Sequence, residues 1–231
     1  MPRPTAVFKI NYHGHSCFSV SNDYLKLTVI FDPFEPRTGK FSLTGVQGDI
    51  VLCSHDHFDH NYWKGVAKWD AVHFVGLVGE RNVKGVKISG ILTYHDRSQG
   101  RERGQNSIYL IQMGDGIFVH LGDLGHVLDE KQVGEVLKFG RPHVVFVPVG
   151  GVYTIEPDEA VAVVKQINPH IAIPMHFHHK KLNQIVFRKL KPVDDFLSLW
   201  DGPVFDAKSS SIEINVDELP EETTVYVLSP P

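Results

Sequence analysis

The chain has 231 residues, 42% of them hydrophobic, a formal net charge of −4 and two cysteines. This is the balance of a soluble globular protein, and it excludes the strongly basic footprint of a nucleic-acid binder or of a ligand for acidic membranes. No apolar run approaches the ~20 residues of a membrane span. Met1-Pro2-Arg3-Pro4-Thr5 leads into no signal-peptide core, so a cytoplasmic protein is expected, in one domain over residues 1–231, with Cys17 and Cys53 as buried thiols.

Val7–Tyr12 alternates apolar and polar residues and reads as a strand. His13-Gly14-His15-Ser16 turns the chain, and Cys17–Val20 returns. A second alternating run, Tyr24–Phe31, ends at Asp32-Pro33, because proline cannot continue a ladder. Residues 35–48 are rich in Gly, Pro, Thr and Ser and read as a loop. Asp49–Ser54 is short and apolar, the pattern of a buried strand. Asn61–Trp69 is expected as a short amphipathic helix with Tyr62, Val66 and Trp69 facing inward. Strands are expected at Val72–Leu77 and Val86–Tyr94, then a charged surface loop at 96–104. Asn106–Met113 and Ile117–Leu121 form a hairpin across Gly114-Asp115-Gly116.

Glu130–Phe139 is a predicted helix stopped by Gly140, and Val144–Val149 a buried strand. Pro157–Ile167 is a helix with proline in its first turn and Asn168-Pro169 as its terminator. Ile171–Pro174 is a short strand. The tail reads as a helix over Val193–Trp200 and strands at Ser211–Val216 and Thr224–Leu228. Strands in the first half and strand–helix alternation in the second predict an α+β protein with two sheets inside and helices outside.

The chemistry concentrates in His55-Asp56-His57-Phe58-Asp59-His60, three histidines and two aspartates leaving the end of a buried strand. Imidazole and carboxylate are the common ligands of zinc and similar divalent metals. Asp32, His95, Asp123 and His176 also lie at or just past the ends of apolar runs, so all of them can converge on one edge of a sheet core. His55, His57 and His95 can supply three nitrogens to one metal, leaving a position open for water. Asp59, His60 and His176 can supply a second metal, and Asp123 can bridge the two. Asp59 is also a candidate to hold the nucleophile or return a proton, which makes Asp59 and Asp123 the candidate catalytic carboxylates. Asp32 suits an acceptor that orients a ligand imidazole. Arg97, Arg101, Arg103 and His126 are candidates for contacting substrate, the arginines by clamping a phosphate or carboxylate. His13, His15 and His120 suit either substrate donors or partners of the ligands.

This set resembles the metallo-β-lactamase fold superfamily through His55-Asp56-His57-Phe58-Asp59-His60, Asp32, Gly122-Asp123 and Pro174-Met175-His176. Within it the chain is similar to a small cytoplasmic branch that includes the ascorbate-6-phosphate lactonases and other metal-dependent hydrolases. That likeness rests on Tyr12-His13-Gly14-His15-Ser16, His120-Leu121-Gly122-Asp123-Leu124-Gly125-His126, Pro148-Val149-Gly150-Gly151 and Ile173-Pro174-Met175-His176. It spans residues 6–180 and implies a four-layer αββα sandwich with the metals at one edge of the two sheets. The implied function is a binuclear hydrolase, with zinc or alternatively manganese or iron. A metal-bridging hydroxide would attack a small-molecule ester, lactone or phosphodiester. No inserted domain marks a nucleic-acid-processing relative, and no membrane partner is expected. His57 stands where flavodiiron relatives carry a glutamate, which favours hydrolysis. A di-iron oxidoreductase of the same fold and a metal-binding non-catalytic sensor are the two other classes.

Overall fold

The computed structural model describes residues 3–231, so Met1 and Pro2 lie outside the described residues. In chain order the elements are strands β1 (Val7–Gly14), β2 (Cys17–Asn22), β3 (Leu27–Phe31), β4 (Gly48–Cys53), β5 (Ala67–Val75), β6 (Gly79–Val83), β7 (Val86–Tyr94), β8 (Gln105–Met113) and β9 (Gly116–His120), then helix α1 (Glu130–Val136). After these come β10 (Val144–Pro148), α2 (Pro157–Ile167), β11 (Ile171–Met175), the short helices α3 (Gln184–Phe187) and α4 (Val193–Leu197), and strands β12 (Val204–Asp206), β13 (Ser211–Asn215) and β14 (Thr224–Val227).

The strands build two mixed sheets, ordered β13-β1-β2-β3-β4-β5 and β12-β14-β11-β10-β9-β8-β7-β6, in an α+β sandwich. Period-two alternation decides which side chains meet between them. Phe8, Ile10, Tyr12, Phe18, Val20, Val29, Phe31, Ile50 and Leu52 of the first sheet join the same buried cluster as Tyr109, Ile111, Phe118 and Phe146 of the second, with Phe118 packed edge-on against Phe8. Each fully buried phenylalanine there hides about 1.5–3 kcal/mol of transfer free energy. The opposite faces of β2, β3 and β4 present Cys17, Ile30, Val51 and Cys53, covered by Phe34, Phe41, Leu182, Phe187 and Leu190 from irregular chain and α3. That outer layer therefore contains little regular helix. On the second sheet, α1 packs on β7, α2 packs on β10, and α4 packs on α2. Helix α1 starts on a reciprocal capping box between Asp129 and Gln132, and α2 on one between Glu156 and Glu159. Among the described residues no helix is long and apolar enough to cross a membrane.

Three sequence expectations are corrected. Asn61–Trp69 is not a helix: a single 3-10 turn spans Trp63–Gly65, and the chain then enters β5, parallel to β4. Trp69 is 98% exposed rather than buried. A run of nine residues with Gly65 in its interior is a poor helix, whereas the edge of β4 needs a partner for its backbone groups. The run Tyr24–Phe31 shortens to Leu27–Phe31 behind a turn. Strands β6 and β12 were not expected at all; both are short and exposed, with little apolar periodicity.

The topology explains why the chemistry gathers. Strands β3 and β4 run parallel, as do β9, β10 and β11. Their C-terminal ends therefore open on one edge of each sheet, the usual place for sites in parallel β-structure. The two edges are tied across the sandwich: Ser107 N–H on β8 donates to Ser54 O just past β4, at 2.9 Å. Tyr109 O–H donates to Cys53 O at 3.0 Å.

Candidate metal centre

Asp32 follows β3, the 55–60 cluster follows β4, His95 follows β7, Asp123 follows β9 and His176 follows β11. Among the candidate ligands and Asp32, all except His57 are buried. Asp123 sits at the middle of the group. Its Oδ2 lies 3.1 Å from His60 Nε2, 3.1 Å from His95 Nε2, 3.4 Å from His176 Nε2 and 3.9 Å from His55 Nε2.

Around that carboxylate the donor atoms fall into sets each compact enough for one ion: His55, His57 and His95; His15, Asp59, His60 and His176; and His55, His60 and Asp123. His55 Nε2 and His57 Nδ1 are 2.9 Å apart. Asp123 Oδ1 is buried without a hydrogen-bond partner among the described residues. Unprotonated ring nitrogens and carboxylate oxygens aimed at one another in a buried pocket repel unless cations lie between them. This donor set therefore fits divalent metal.

A second tier of contacts fixes which nitrogen each ring presents. Asp32 is fully buried; its Oδ1 accepts Ser54 N–H at 2.7 Å, and its Oδ2 accepts Ser54 O–H at 2.7 Å and His60 Nδ1–H at 2.9 Å. With its own proton given to Asp32, Ser54 Oγ accepts from His55 Nδ1 at 2.9 Å. Both histidines thus keep Nδ1–H pointed away and turn Nε2 to the cluster. Asn106 performs a similar service for the backbone. Its Nδ2 donates to Thr93 Oγ1 and Leu121 O, and its Oδ1 accepts Asp123 N–H at 2.9 Å. Gly122, at φ +57°, is packed so closely that a Cβ would come within 2.3 Å of Asn106 Oδ1. His15, Asp32 and His176 are themselves held in left-handed backbone, at φ 55°, 44° and 53°, and strain of this kind gathers at functional sites.

The electrostatics stem from this enclosure. Burial disfavours a charge on His60, but Asp123, Asp59 and Asp32 surround it and hold its pKa well above the ordinary imidazole value. Burial, helped by neighbouring His60, pushes His55 well below that value. Burial alone would raise Asp123, yet His176, His60 and His95 outweigh it and keep the carboxyl well below its usual range. Asp59 is likewise depressed by His60 and His15 against the effect of burial.

His15, which the sequence marks only as a substrate donor or a partner of the ligands, stands in the second set. Its Nε2 is 3.0 Å from Asp59 Oδ2, its ring lies 4.2 Å from that of His176, and its carbonyl accepts His176 N–H. The only sequence signal is its place in the turn between two strands. The remaining histidines are engaged elsewhere. His120 bonds Ser16 O and accepts Gly122 N–H while stacking on Phe31. His13 pairs with Ser19 Oγ. His126 donates to Val127 O and accepts Tyr94 N–H, away from the cluster.

The cluster opens into a cleft of about 260 Å3, walled by Phe58, Tyr153, Val186 and Phe187 with Arg103 at its rim. Of the candidate substrate residues only Arg103 lines this cleft. Arg97 donates to Glu159 at 2.8 Å, and Arg101 is exposed.

Residues 9–176 match the family model of the beta-lactamase superfamily domain. A UPF0173 metal-dependent hydrolase of Thermoplasma volcanium is 31% identical over 195 residues, covering 74% of this chain and 83% of that protein. A crystal structure of a candidate zinc-dependent hydrolase of the metallo-beta-lactamase superfamily from Thermotoga maritima superposes with TM-score 0.72 at 35% identity, covering 96% of this chain and 100% of the other. A diiron beta-hydroxylase from Streptomyces venezuelae shares the fold, with TM-score 0.55 at 13% identity over 73% of this chain and 44% of its own, so fold alone does not choose the chemistry. By the family match and by this degree of identity, the chain belongs to the beta-lactamase superfamily and, within it, to the UPF0173 metal-dependent hydrolases.

Proposed function

We propose that the protein is a cytoplasmic hydrolase with two divalent ions, zinc above manganese or iron, that cleaves an ester, lactone or phosphodiester of a small molecule. The observation that carries this reading is the position of Asp123, one of whose oxygens lies between 3.1 and 3.9 Å from the Nε2 atoms of four histidines on both sides of it. A bridging carboxylate between a His55–His57–His95 group and an Asp59–His60–His176 group is the arrangement a two-metal hydrolase uses. When bound, such a pair of ions supplies Lewis-acid polarisation of the scissile oxygen and acidifies a water molecule.

The residues supply the rest. Asp123 keeps the two groups at a fixed separation. His57, the exposed member, borders the cleft where substrate enters. Asp59 accepts the proton of the attacking water, and its contact with His15 supports a path by which that proton is shared and later returned to the leaving group. The walls of Phe58, Tyr153, Val186 and Phe187 exclude water around the reacting bond. The His55–His57–His95 group has no carboxylate of its own, which favours hydrolysis over di-iron oxidation.

The test is a panel of lactones, aryl esters, thioesters and phosphodiesters against protein stripped by chelation and reloaded with zinc, manganese or iron. Hydrolysis of at least one class that disappears on stripping and returns on reloading is expected. An inert panel with metal fully loaded would instead move the protein to a metal-binding sensor.

A further inference from the structure

The rim of the cleft carries a second kind of information. Asp96, immediately after His95, turns its carboxylate inward and accepts four backbone N–H groups, those of Ser98, Gly100, Glu102 and Arg103, at 2.7 to 3.1 Å. His95 N–H closes the base of the loop on Gly104 O. Gly125 lets this base pack tightly, since a Cβ there would lie 2.3 Å from Asp96 N. The loop is therefore a rigid arch rooted at a candidate ligand, and Arg103 is the side chain it delivers over the cluster.

Arg103 reaches the cleft with its hydrogen-bond donors uncommitted. Among the described residues its guanidinium donates no hydrogen bond. Its one carboxylate neighbour, Glu102, is 3.9 Å away, with side chains 36% and 60% exposed. Its guanidinium carbon sits 5.8 Å over the ring of Tyr153, whose O–H is fixed on Val186 O at 2.9 Å. Arg103 and Tyr153 line both the apolar cleft and an adjoining polar cavity of about 270 Å3. That cavity is bordered by Asp96, Arg97, Glu102 and Glu156. Arg97 is neutralised by Glu159 and Glu156 is paired with Lys191. Of the two arginines bordering this cavity, Arg103 has no hydrogen-bonded carboxylate among the described residues, only the looser contact with Glu102.

On the hydrolase reading above, we infer that the substrate is an ester or lactone with an apolar group and one carboxylate, the apolar part lying against Phe58, Val186 and Phe187 and the carboxylate held by the fork of Arg103. A guanidinium presents two parallel N–H donors that match a carboxylate. A dianionic phosphate would set its second charge against Glu102, so the single charge is preferred. The wall of Phe58, Val186 and Phe187 offers no partner for a second ionic group.

The experiment uses metal-loaded protein and two probe pairs. The first pair is mono-4-nitrophenyl glutarate and its uncharged methyl ester. The second pair, resistant to ester hydrolysis, is glutaric acid monoanilide and its uncharged N-methylamide, with binding followed by calorimetry. Wild-type protein should prefer the anionic ester in kcat/KM, after subtraction of spontaneous hydrolysis, and bind the acid anilide more tightly, each by about tenfold or more. Arg103→Gln should bring both ratios close to one, and Arg103→Lys should recover them in part. The half-exposed side chain carries no structural hydrogen bond, so melting temperatures should match and rule out misfolding. Hydrolysis of both esters with a ratio that Arg103→Gln leaves unchanged would overturn the inference while leaving the hydrolase reading intact. Arg103-dependent binding of the acid anilide without hydrolysis of either ester would support the inference and count against the hydrolase reading. Equal binding of the two anilides by wild-type protein would overturn it outright.

Discussion

Asp32 Oδ2 accepts the Nδ1 proton of His60 at 2.9 Å, from the end of one parallel strand to the loop after its neighbour. The same oxygen takes the hydroxyl proton of Ser54, which in turn accepts from His55. One buried carboxylate thus sets the tautomer of a histidine in each candidate metal group. Asp32→Asn would place an amide N–H₂ toward His60 or Ser54 and favour the wrong tautomer. Metal affinity, measured by competition with a chromophoric chelator, should fall by about 10–100-fold, with the fold retained in far-UV circular dichroism. Unchanged affinity would remove Asp32 from the site.

His60 predicts proton release. Without metal it is held charged by Asp123, Asp59 and Asp32, and a ligand nitrogen must be deprotonated. Loading zinc near pH 7 should therefore expel roughly one proton per chain or more, seen as a dependence of the calorimetric enthalpy on buffer ionisation enthalpy. An enthalpy independent of buffer would show that His60 is already neutral.

Acid should destabilise the metal-free fold in a definite window. Burial lowers His13 and His15 from 6.5 to about 4, and burial with the proximity of His170 does the same for His143. Between these values the unfolded chain binds more protons than the native one, so stability is full above pH 6.5 and drains as pH falls toward 4. His60 has the opposite sign: its contribution is full below its unfolded pKa and declines only as pH rises through its raised native value. Melting temperature in chelator should therefore fall steadily from neutral to mildly acid pH, and His143→Gln should flatten part of that slope. A flat profile across the window would contradict the burial of these rings.

Gly122 joins the last strand residues before the site to Asp123. Its φ of +57° and the Ser54 and Asn106 atoms against it leave no room for a methyl group. Gly122→Ala should cost about 2 kcal/mol or more in urea unfolding and lower metal affinity by shifting Asp123. A variant as stable as the wild type would mean that the loop relaxes freely.

The parts of this structure legible in sequence are those where one strand face or both are buried. Asp49–Ser54 reads as a buried strand, and the loop leaving the end of such a strand is a place where a site can stand. The 55–60 cluster, Asp32, His95, Asp123 and His176 could therefore be grouped from the chain alone. β5, β6 and β12 are edge strands whose exposed faces erase apolar periodicity, so the start of β5 carries a helix-like pattern and the other two carry no strand signal. His15 carries no metal-donor signal in sequence, because its position depends on the β1–β2 turn docking against His176, a contact between distant residues. Arg97, Arg101 and Arg103 are equivalent in sequence. Only the turn of the Asp96 carboxylate into the loop backbone, and the salt bridge that occupies Arg97, separates them.

The most direct measurement is the metal content of the purified protein together with its hydrolytic activity, for wild type and Asp123→Ala. Wild-type protein should carry about two divalent ions per chain. Asp123→Ala should lose at least one of them, and hydrolysis should fall by about a hundredfold or more. Metal-free protein that hydrolyses substrate at the full rate, or an Asp123→Ala variant that keeps both ions and full activity, would contradict the account.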